Sequence, residues 1–163
     1  MRINKGLMKL LEEWNAVFFR EEINVRLIAI GGTALTLVNL KASTKDIDFT
    51  LPLSEDLKKF ESLFNKLKIK HVAMRRFKAG NFLIDIYHDD QIFTTSFPDD
   101  LIKESTLIRD FSNIQLFALS FYDIIISKIA RSSVDDEEDI KTIFENENID
   151  LVKLRQRYQQ IQE

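Results

Sequence analysis

The chain has 163 residues, 45% of them hydrophobic, with 23 basic and 26 acidic side chains and a formal net charge of −3. This length and composition predict one compact globular domain over residues 1–163 with a sizeable core. The absence of cysteine excludes disulfides, thiolate metal sites and cysteine nucleophiles, and two histidines give little basis for a zinc site. The negative charge argues against broad nonspecific binding to nucleic acid, although residues 66–78 form a candidate basic patch.

Membrane insertion and secretion are not indicated by the sequence. No apolar run is long enough to span a bilayer, and acidic residues interrupt the segment in which a signal peptide would be apolar. We therefore expect a soluble, cytoplasmic protein with no membrane partner.

The first predicted elements are a packing helix and a buried strand. Apolar residues at near-helical spacing predict a helix within residues 5–19. The β-branched and leucine-rich run from Val25 to Ile30 predicts a strand, which ends at Gly31-Gly32, where the backbone must turn sharply. A short helix is expected over residues 33–40.

Two aspartates share one face of the next predicted strand, residues 45–51. Because side chains alternate along a strand, Asp46, Asp48 and Thr50 point one way and the intervening apolar residues the other. Two carboxylates about 4 Å apart repel by roughly 4 kcal/mol at an effective dielectric of about 20, so a shared proton or a cation is the usual remedy. A divalent Mg²⁺ or Mn²⁺ suits carboxylate oxygens best. The alternative is that both aspartates line a solvated strand edge or cap a neighbouring element.

A third carboxylate, Asp85, lies in an otherwise apolar predicted strand. Ser54 is expected to cap a helix, and strands are predicted over residues 69–77 and 82–87, joined by a turn at residues 78–81. Asp85 alone could equally be an exposed or paired aspartate. After a loop over residues 89–100, two short strands are expected over residues 106–111 and 113–118.

The C-terminal part, residues 120–163, is predicted to be helical. Ser120, Ser133 and Asp150 are expected to cap successive helices. Lys128 falls within an apolar face, where it could extend to solvent or point over the sheet toward phosphates. The acidic run after Ser133 suits a helix N-terminus, and Asp136 and Asp139, three residues apart, could orient Lys128 or Arg131.

The glycine pair, Asp46-Ile47-Asp48 and the later Leu83-Ile84-Asp85-Ile86 together resemble the nucleotidyltransferase superfamily related to DNA polymerase β. The likeness extends over roughly residues 24–145 and is greatest to a small prokaryotic group that includes toxins of type IV toxin–antitoxin systems. Proteins of that group often carry a GG-T-A-L opening, as in Gly31 to Leu35.

The resemblance implies a fold and a set of site residues. The fold would be α/β (α+β), a mixed twisted sheet of about five strands flanked by helices, with a core over residues 24–118 and C-terminal helices over residues 120–163. Mg²⁺ or Mn²⁺ would be held by Asp46, Asp48 and Asp85, and Lys128 would complete the catalytic set. The nucleoside triphosphate would be bound by the remaining candidates, which are Gly31, Gly32, Thr33, Lys45, Asp136 and Asp139.

Two positions depart from the family pattern. The group often has an arginine four residues before the first metal aspartate, where this chain has Ala42, and a basic residue five after the helix lysine, where it has Ser133. Lys41, Lys45 and Arg131 are candidate substitutes. These differences bear on triphosphate affinity and donor choice.

The function implied by the resemblance is metal-dependent transfer of NMP from an NTP to an RNA, tRNA or protein hydroxyl, as in the toxin of a toxin–antitoxin system with a cognate antitoxin as partner. Two alternatives stay open. One is a noncatalytic binding or regulatory module that has kept the fold, and the other is an antibiotic nucleotidyltransferase acting on a small molecule.

Overall fold

The computed structural model describes residues 2–44 and 46–162. The N-terminal half contains α1 (Arg2–Arg20), β1 (Val25–Ala29), α2 (Gly31–Leu37), β2 (Ile47–Leu51), α3 (Ser54–Ser62), α4 (Phe64–Leu67), β3 (Ile69–Ala73) and β4 (Arg76–Ala79). The remainder contains β5 (Phe82–His88), β6 (Gln91–Ile92), β7 (Thr95–Ser96), α5 (Leu101–Glu104), β8 (Thr106–Asp110), β9 (Ile114–Ala118), α6 (Phe121–Arg131), α7 (Val134–Asn146) and α8 (Leu151–Gln162).

Across these ranges, seven strands form one mixed sheet in the order β3-β4-β5-β2-β1-β9-β8, and β6 and β7 form a separate hairpin. β1 is parallel to β9 and β2 is parallel to β5, whereas the other neighbours in the large sheet are antiparallel. The predicted α+β class is confirmed. The sheet order places β2 at its centre, between β5 and β1, so the residues that begin β2 are surrounded by other elements.

The sheet has seven strands rather than the five or so implied by the resemblance. Six strands were predicted individually, and the additional one arises in the segment predicted as one strand over residues 69–77. Met74 adopts a left-handed backbone with φ 44, which extended strand geometry does not allow. The segment therefore folds back as the β3–β4 hairpin. The strands predicted over residues 106–111 and 113–118 are confirmed as β8 and β9.

Helix starts follow the predicted caps in α6 and α7 but not in α3. The Ser120 hydroxyl accepts a hydrogen bond from the Asp123 backbone N–H, and Ser133 and Asp136 form a reciprocal capping box. In α3 the N-cap position is Leu53, and Ser54 lies one residue inside the helix without a side-chain capping bond. The prediction that Ser54 caps α3 is therefore wrong.

The core lies between the sheet and the helices that contact it. Trp14 and Phe18 of α1 pack edge-on against Phe60 of α3, with ring centroids 5.2 and 5.7 Å apart. Apolar side chains of the central strands, such as Leu27 and Phe49, are almost fully buried. None of the helices within residues 2–44 and 46–162 combines the length and the apolar composition of a bilayer-spanning segment.

Candidate active site

The three predicted metal aspartates meet where β2 begins beside β5. In the parallel register of these strands Asp48 is paired with Asp85, and both side chains project from the same side of the sheet because paired positions share a face. Asp46 immediately precedes β2. The Arg76 guanidinium on β4 donates to both Asp85 oxygens at 2.9 and 3.0 Å and to Asp46 Oδ2 at 3.1 Å. The structure thus brings Asp46, Asp48 and Asp85 into one acidic cluster.

The environment of Asp48 opposes ionisation of its carboxyl group. Burial of the carboxyl, with repulsion from Asp85 and Asp46 adding to it, raises the pKa of Asp48 to about 7. The positive charges of Arg131 and Lys128 lower the Asp48 pKa, but by less than burial and the two like charges raise it. A carboxylate whose ionisation is opposed by burial and by two like charges favours binding of a cation.

The glycine pair brings the backbone close to this cluster. Gly31 has φ +54, and a Cβ at this residue would lie 2.9 Å from Phe93 Cζ and 3.6 Å from Asp48 Oδ2. A Cβ on Gly32 would lie 2.8 Å from Thr44 Oγ1 and 3.4 Å from Lys41 Nζ. Larger residues at either position would therefore close the space beside the aspartates.

Thr33 acts on the backbone of β2. Its hydroxyl donates to the Asp46 carbonyl at 3.3 Å and accepts from the Asp48 N–H at 2.9 Å. The side chain is 1% exposed. Because both hydrogen-bonding roles are engaged, Thr33 positions the two aspartates, whereas the sequence predicted that its hydroxyl would approach the phosphates.

Lys128 is buried and ion-paired with two aspartates of α7. Its Nζ donates to Asp136 at 3.1 Å and to Asp139 at 2.8 Å, and the residue is 1% exposed. The alternative in which Lys128 extends to solvent is therefore wrong. Lys41 also donates to Asp139, at 3.1 Å, so residues from α6, α7 and the loop after α2 hold one another in place.

Arg131 lies between Asp136 and an aromatic side chain. It donates to both Asp136 oxygens at 2.8 and 2.6 Å, and its guanidinium lies 3.7 Å from the centroid of Phe93. Burial opposes ionisation of Asp136, but bonds from Arg131, Ser133 and Lys128 outweigh it and hold the Asp136 pKa well below its usual range. Asp136 therefore remains an anion that fixes both cations.

A cavity of about 420 Å³ separates the aspartates from the basic residues. Its walls comprise Gly32, Lys41, Ser43, Thr44, Asp46, Asp48, Lys128, Arg131, Asp135 and Asp139. The volume is in the range of small-molecule sites, and apart from Gly32 all the lining residues have polar or charged side chains. Asp46 and Asp48 line it at the start of β2, and three cations that we call the basic wall, Lys41, Lys128 and Arg131, line it together with Asp135 and Asp139 of α7.

The sequence-predicted residues fall into three groups in the structure. Asp46, Asp48, Gly32, Lys128 and Asp139 line the cavity. Asp85, Gly31, Thr33 and Asp136 support it through the contacts above, and Lys45 lies outside the described residues. The sequence analysis did not identify Phe93 or Arg76 as site residues. The sequence around Phe93 contains no pattern that distinguishes it from an aromatic residue of the core.

Arg76 was also missed, although the sequence contained a signal for it. Gly80-Asn81 is a two-residue turn between β4 and β5, and such a turn determines the register of a hairpin. Counting outward from it pairs Arg76 with Asp85, as observed.

The donor set fits a divalent cation. Carboxylate oxygens are the ligands that Mg²⁺ and Mn²⁺ prefer, and burial, with repulsion from Asp85 and Asp46, raises the pKa of Asp48. In the described part of the chain, however, no three acidic or histidine side chains are already arranged to hold one ion. Binding at this point would therefore require some of these side chains to move.

Comparison with solved structures shows a shared fold. The antibiotic-resistance factor ANT(2'')-Ia, in a crystal structure in complex with adenylyl-2''-tobramycin, aligns with a TM-score of 0.63 at 14% identity, over 99% of this chain and 98% of that one. Its solution structure aligns with a TM-score of 0.62. A putative nucleotidyltransferase (TM1012) from Thermotoga maritima aligns with a TM-score of 0.51 at 15% identity, over 85% and 94% of the two chains.

The sequence comparisons identify the family. No curated protein matched the chain significantly. A family model described as nucleotidyltransferase of unknown function (DUF6036) matches residues 5–163. The predicted resemblance to nucleotidyltransferases is thus confirmed, while the link to toxin–antitoxin systems stays a prediction. With a family match over nearly its whole length and the fold of known nucleotidyltransferases, the chain belongs to the nucleotidyltransferase family DUF6036.

Proposed function

We propose that the protein is a divalent-metal-dependent nucleotidyltransferase that transfers NMP from an NTP to an acceptor hydroxyl. The observation that carries the proposal is the pairing of Asp48 with Asp85 across β2 and β5, with Asp46 beside them, at the edge of a cavity that is also lined by Lys41, Lys128 and Arg131. Carboxylates and cationic side chains around one cavity suit a ligand that combines a divalent cation with a chain of phosphates.

The three aspartates would hold the metal. Asp46 and Asp48 would ligate the ion that accompanies the triphosphate, and Asp85 would contribute to a second ion beside the acceptor. When bound, Mg²⁺ or Mn²⁺ supplies Lewis-acid stabilisation of the charge on the reacting phosphate. Thr33 supports this role because its hydroxyl bonds to the backbone of both Asp46 and Asp48 and so fixes the backbone positions from which their carboxylates project.

The basic wall would bind the phosphates. Lys128 is fixed by Asp136 and Asp139 and presents a buried positive charge to the cavity. The side chains of Lys41 and Arg131 are 32% and 38% exposed, so both can turn toward a ligand. They replace the basic residues absent at Ala42 and Ser133, which supports triphosphate binding despite those departures.

The reaction follows from these placements. The acceptor oxygen attacks the α-phosphorus, and its proton passes to a carboxylate, for which Asp85 is the candidate. The bond from the α-phosphorus to the bridging oxygen breaks, and pyrophosphate leaves toward the basic wall. Positioning and charge stabilisation account for most catalysis in such transfers.

The class of acceptor that receives the NMP is identified by a screen. The sequence resemblance favours a tRNA, other RNA or protein hydroxyl, whereas a structural neighbour was solved with an adenylylated aminoglycoside, adenylyl-2''-tobramycin. The purified protein should therefore be incubated with each α-labelled NTP, Mg²⁺ or Mn²⁺, and a panel of tRNA, protein, aminoglycoside and lincosamide acceptors. We expect label to move to one acceptor class with release of pyrophosphate.

Asp48→Asn tests the assignment of the site. We expect transfer to fall by about a hundredfold or more, since metal stabilisation of transition-state charge contributes several kcal/mol. Glu145→Gln makes the same chemical change at an exposed position of α7 and should leave transfer unchanged. Full activity in Asp48→Asn would refute the site. Absence of both transfer and calorimetric NTP binding with Mn²⁺ would instead support a noncatalytic module.

A further inference from the structure

Arg76 lies directly opposite Asp85 in the antiparallel register of β4 and β5. Nε donates to Asp85 Oδ1 at 2.9 Å and Nη2 to Asp85 Oδ2 at 3.0 Å, so the guanidinium and the carboxylate meet as two parallel bonds. Nη2 also donates to Asp46 Oδ2 at 3.1 Å. Charge-assisted pairs of this geometry are among the stronger hydrogen bonds in proteins.

These contacts occupy the oxygens that a divalent ion would need. Both Asp85 oxygens and one Asp46 oxygen accept hydrogen bonds from Arg76. A guanidinium directs its donors in a rigid fork and carries a single positive charge. It therefore offsets part of the acidic cluster, and its Nη2 occupies the point on which Asp85 Oδ2 and Asp46 Oδ2 converge.

Arg75, the preceding residue, is arranged differently. Its guanidinium donates to the Gln91 side chain at 3.1 Å and lies 4.8 Å from the centroid of Tyr87. No acidic partner of Arg75 is observed among the described residues. Two adjacent arginines of the same hairpin thus carry the same charge, but Arg76 is the one bonded to the aspartates.

We propose that Arg76 is an internal counter-ion that competes with a divalent cation for Asp85 and Asp46. The inference rests on the proposed function, since it concerns the same carboxylates. In the metal-free protein the guanidinium neutralises part of the cluster and blocks Asp85 as a ligand and as a proton acceptor. Metal binding requires Arg76 to leave Asp85, and its side chain, 39% exposed, has solvent into which it can turn.

The competition is tested by Mn²⁺ titration, with free Mn²⁺ counted by electron paramagnetic resonance. We expect Arg76→Ala to bind Mn²⁺ at least about tenfold more tightly than the wild type, because the ion no longer has to displace the charge-assisted hydrogen bonds that Arg76 donates to Asp85 and Asp46. Arg75→Ala removes the same charge nearby without removing those bonds. Its Mn²⁺ affinity should stay within about threefold of the wild type, since a partly exposed charge is screened by solvent.

Thermal unfolding gives a second readout that does not depend on catalysis. Without metal, Arg76→Ala should melt below the wild type, because repulsion among the three aspartates is then uncompensated. Saturating Mn²⁺ should raise its melting temperature by more than it raises that of the wild type. Should Arg76→Ala fail to fold by circular dichroism, Arg76→Lys keeps the charge, loses the fork and should show a smaller gain in Mn²⁺ affinity.

The outcomes separate this inference from the proposed function. If the wild type binds Mn²⁺ and Arg76→Ala binds it no more tightly, the competition is refuted and the metal site stands. An equal gain in Arg75→Ala also refutes it, because general electrostatics would then explain the effect. If neither the wild type nor any variant binds Mn²⁺, even with an NTP present, the proposed function and this inference both fall.

Discussion

Gly31 combines two constraints at one residue. Its φ of +54 is costly for residues with a Cβ, and an added Cβ would lie 2.9 Å from Phe93 Cζ. Phe93 has little freedom to move, since Arg131 stacks on its face and Tyr87 meets it edge-on with centroids 5.7 Å apart. The glycine is therefore required by the backbone and by its neighbour.

Gly80 allows these two constraints to be measured separately. It has φ +59, but an added Cβ there would have no heavy atom within 4 Å. We expect Gly80→Ala to lower the free energy of unfolding by about 1–2 kcal/mol, the left-handed penalty alone, as measured by urea denaturation. Gly31→Ala should lose clearly more and should also weaken NTP binding. Equal losses in the two variants would show that contact with Phe93 is unimportant.

The sequence predicted the arrangement of the acidic residues of the site better than that of the basic residues. Alternation along the predicted strand placed Asp46 and Asp48 on one face, because strand geometry determines which side chains share a face. That Asp85 joins them was implied by the resemblance to nucleotidyltransferases. The spacing of Asp136 and Asp139 predicted that they could orient Lys128, and both accept hydrogen bonds from it. Local spacing contains no information on the contact of Lys41 with Asp139, which joins residues far apart along the chain.

At the scale of elements, the start of α7 is what holds the basic wall. Ser133 caps the helix, and the bonds that fix Asp136 at the third position also aim it at Lys128 and Arg131. The cap thus connects helix stability with the geometry of the cavity. Ser54, which the sequence made an equally good capping candidate, has no such bond in α3.

This contrast gives a matched pair of substitutions. Ser133→Ala should lower the free energy of unfolding by about 1 kcal/mol, the usual value of a lost N-cap, and should weaken NTP binding because Asp136 loses its support. Ser54→Ala should change stability by no more than about 0.5 kcal/mol, as at ordinary surface positions. Chemical denaturation and calorimetry measure the two effects. Similar losses in both variants would contradict the capping assignment.

The largest error in the predicted elements was the position of the turns between residues 69 and 82. Assigning the turn to residues 78–81 and a single strand to residues 69–77 concealed the hairpin at Met74, and with it the pairing of Arg76 with Asp85. No Gly, Pro, Asn or Asp interrupts residues 69–77, and the reversal of the chain there depends on a left-handed backbone at Met74, a residue type that seldom adopts it. Propensity could therefore indicate strand but not two strands.

At the scale of the whole molecule, the C-terminal helices are tied to the rest by a buried arginine. Arg157 of α8 donates to both Asp123 oxygens of α6 at 2.7 and 3.0 Å and to Asp100, just before α5, at 2.9 Å. Asp123 is fully buried and Arg157 is 8% exposed. Since α6 also supplies Lys128, these bonds connect the end of the chain with the wall of the cavity.

Arg157→Ala therefore tests whether residues 1–163 behave as one domain. We expect it to lower the free energy of unfolding by about 3–5 kcal/mol, because it leaves Asp123 buried without its partner. Arg109→Ala breaks an exposed bond to Glu12 and should cost no more than about 1 kcal/mol.

Trp14, the single tryptophan, reports on α1 by fluorescence, while circular dichroism reports on all helices. In one domain both signals shift to the same lower urea midpoint. A shift in circular dichroism alone would mean that α8 unfolds independently and that the single-domain prediction is wrong.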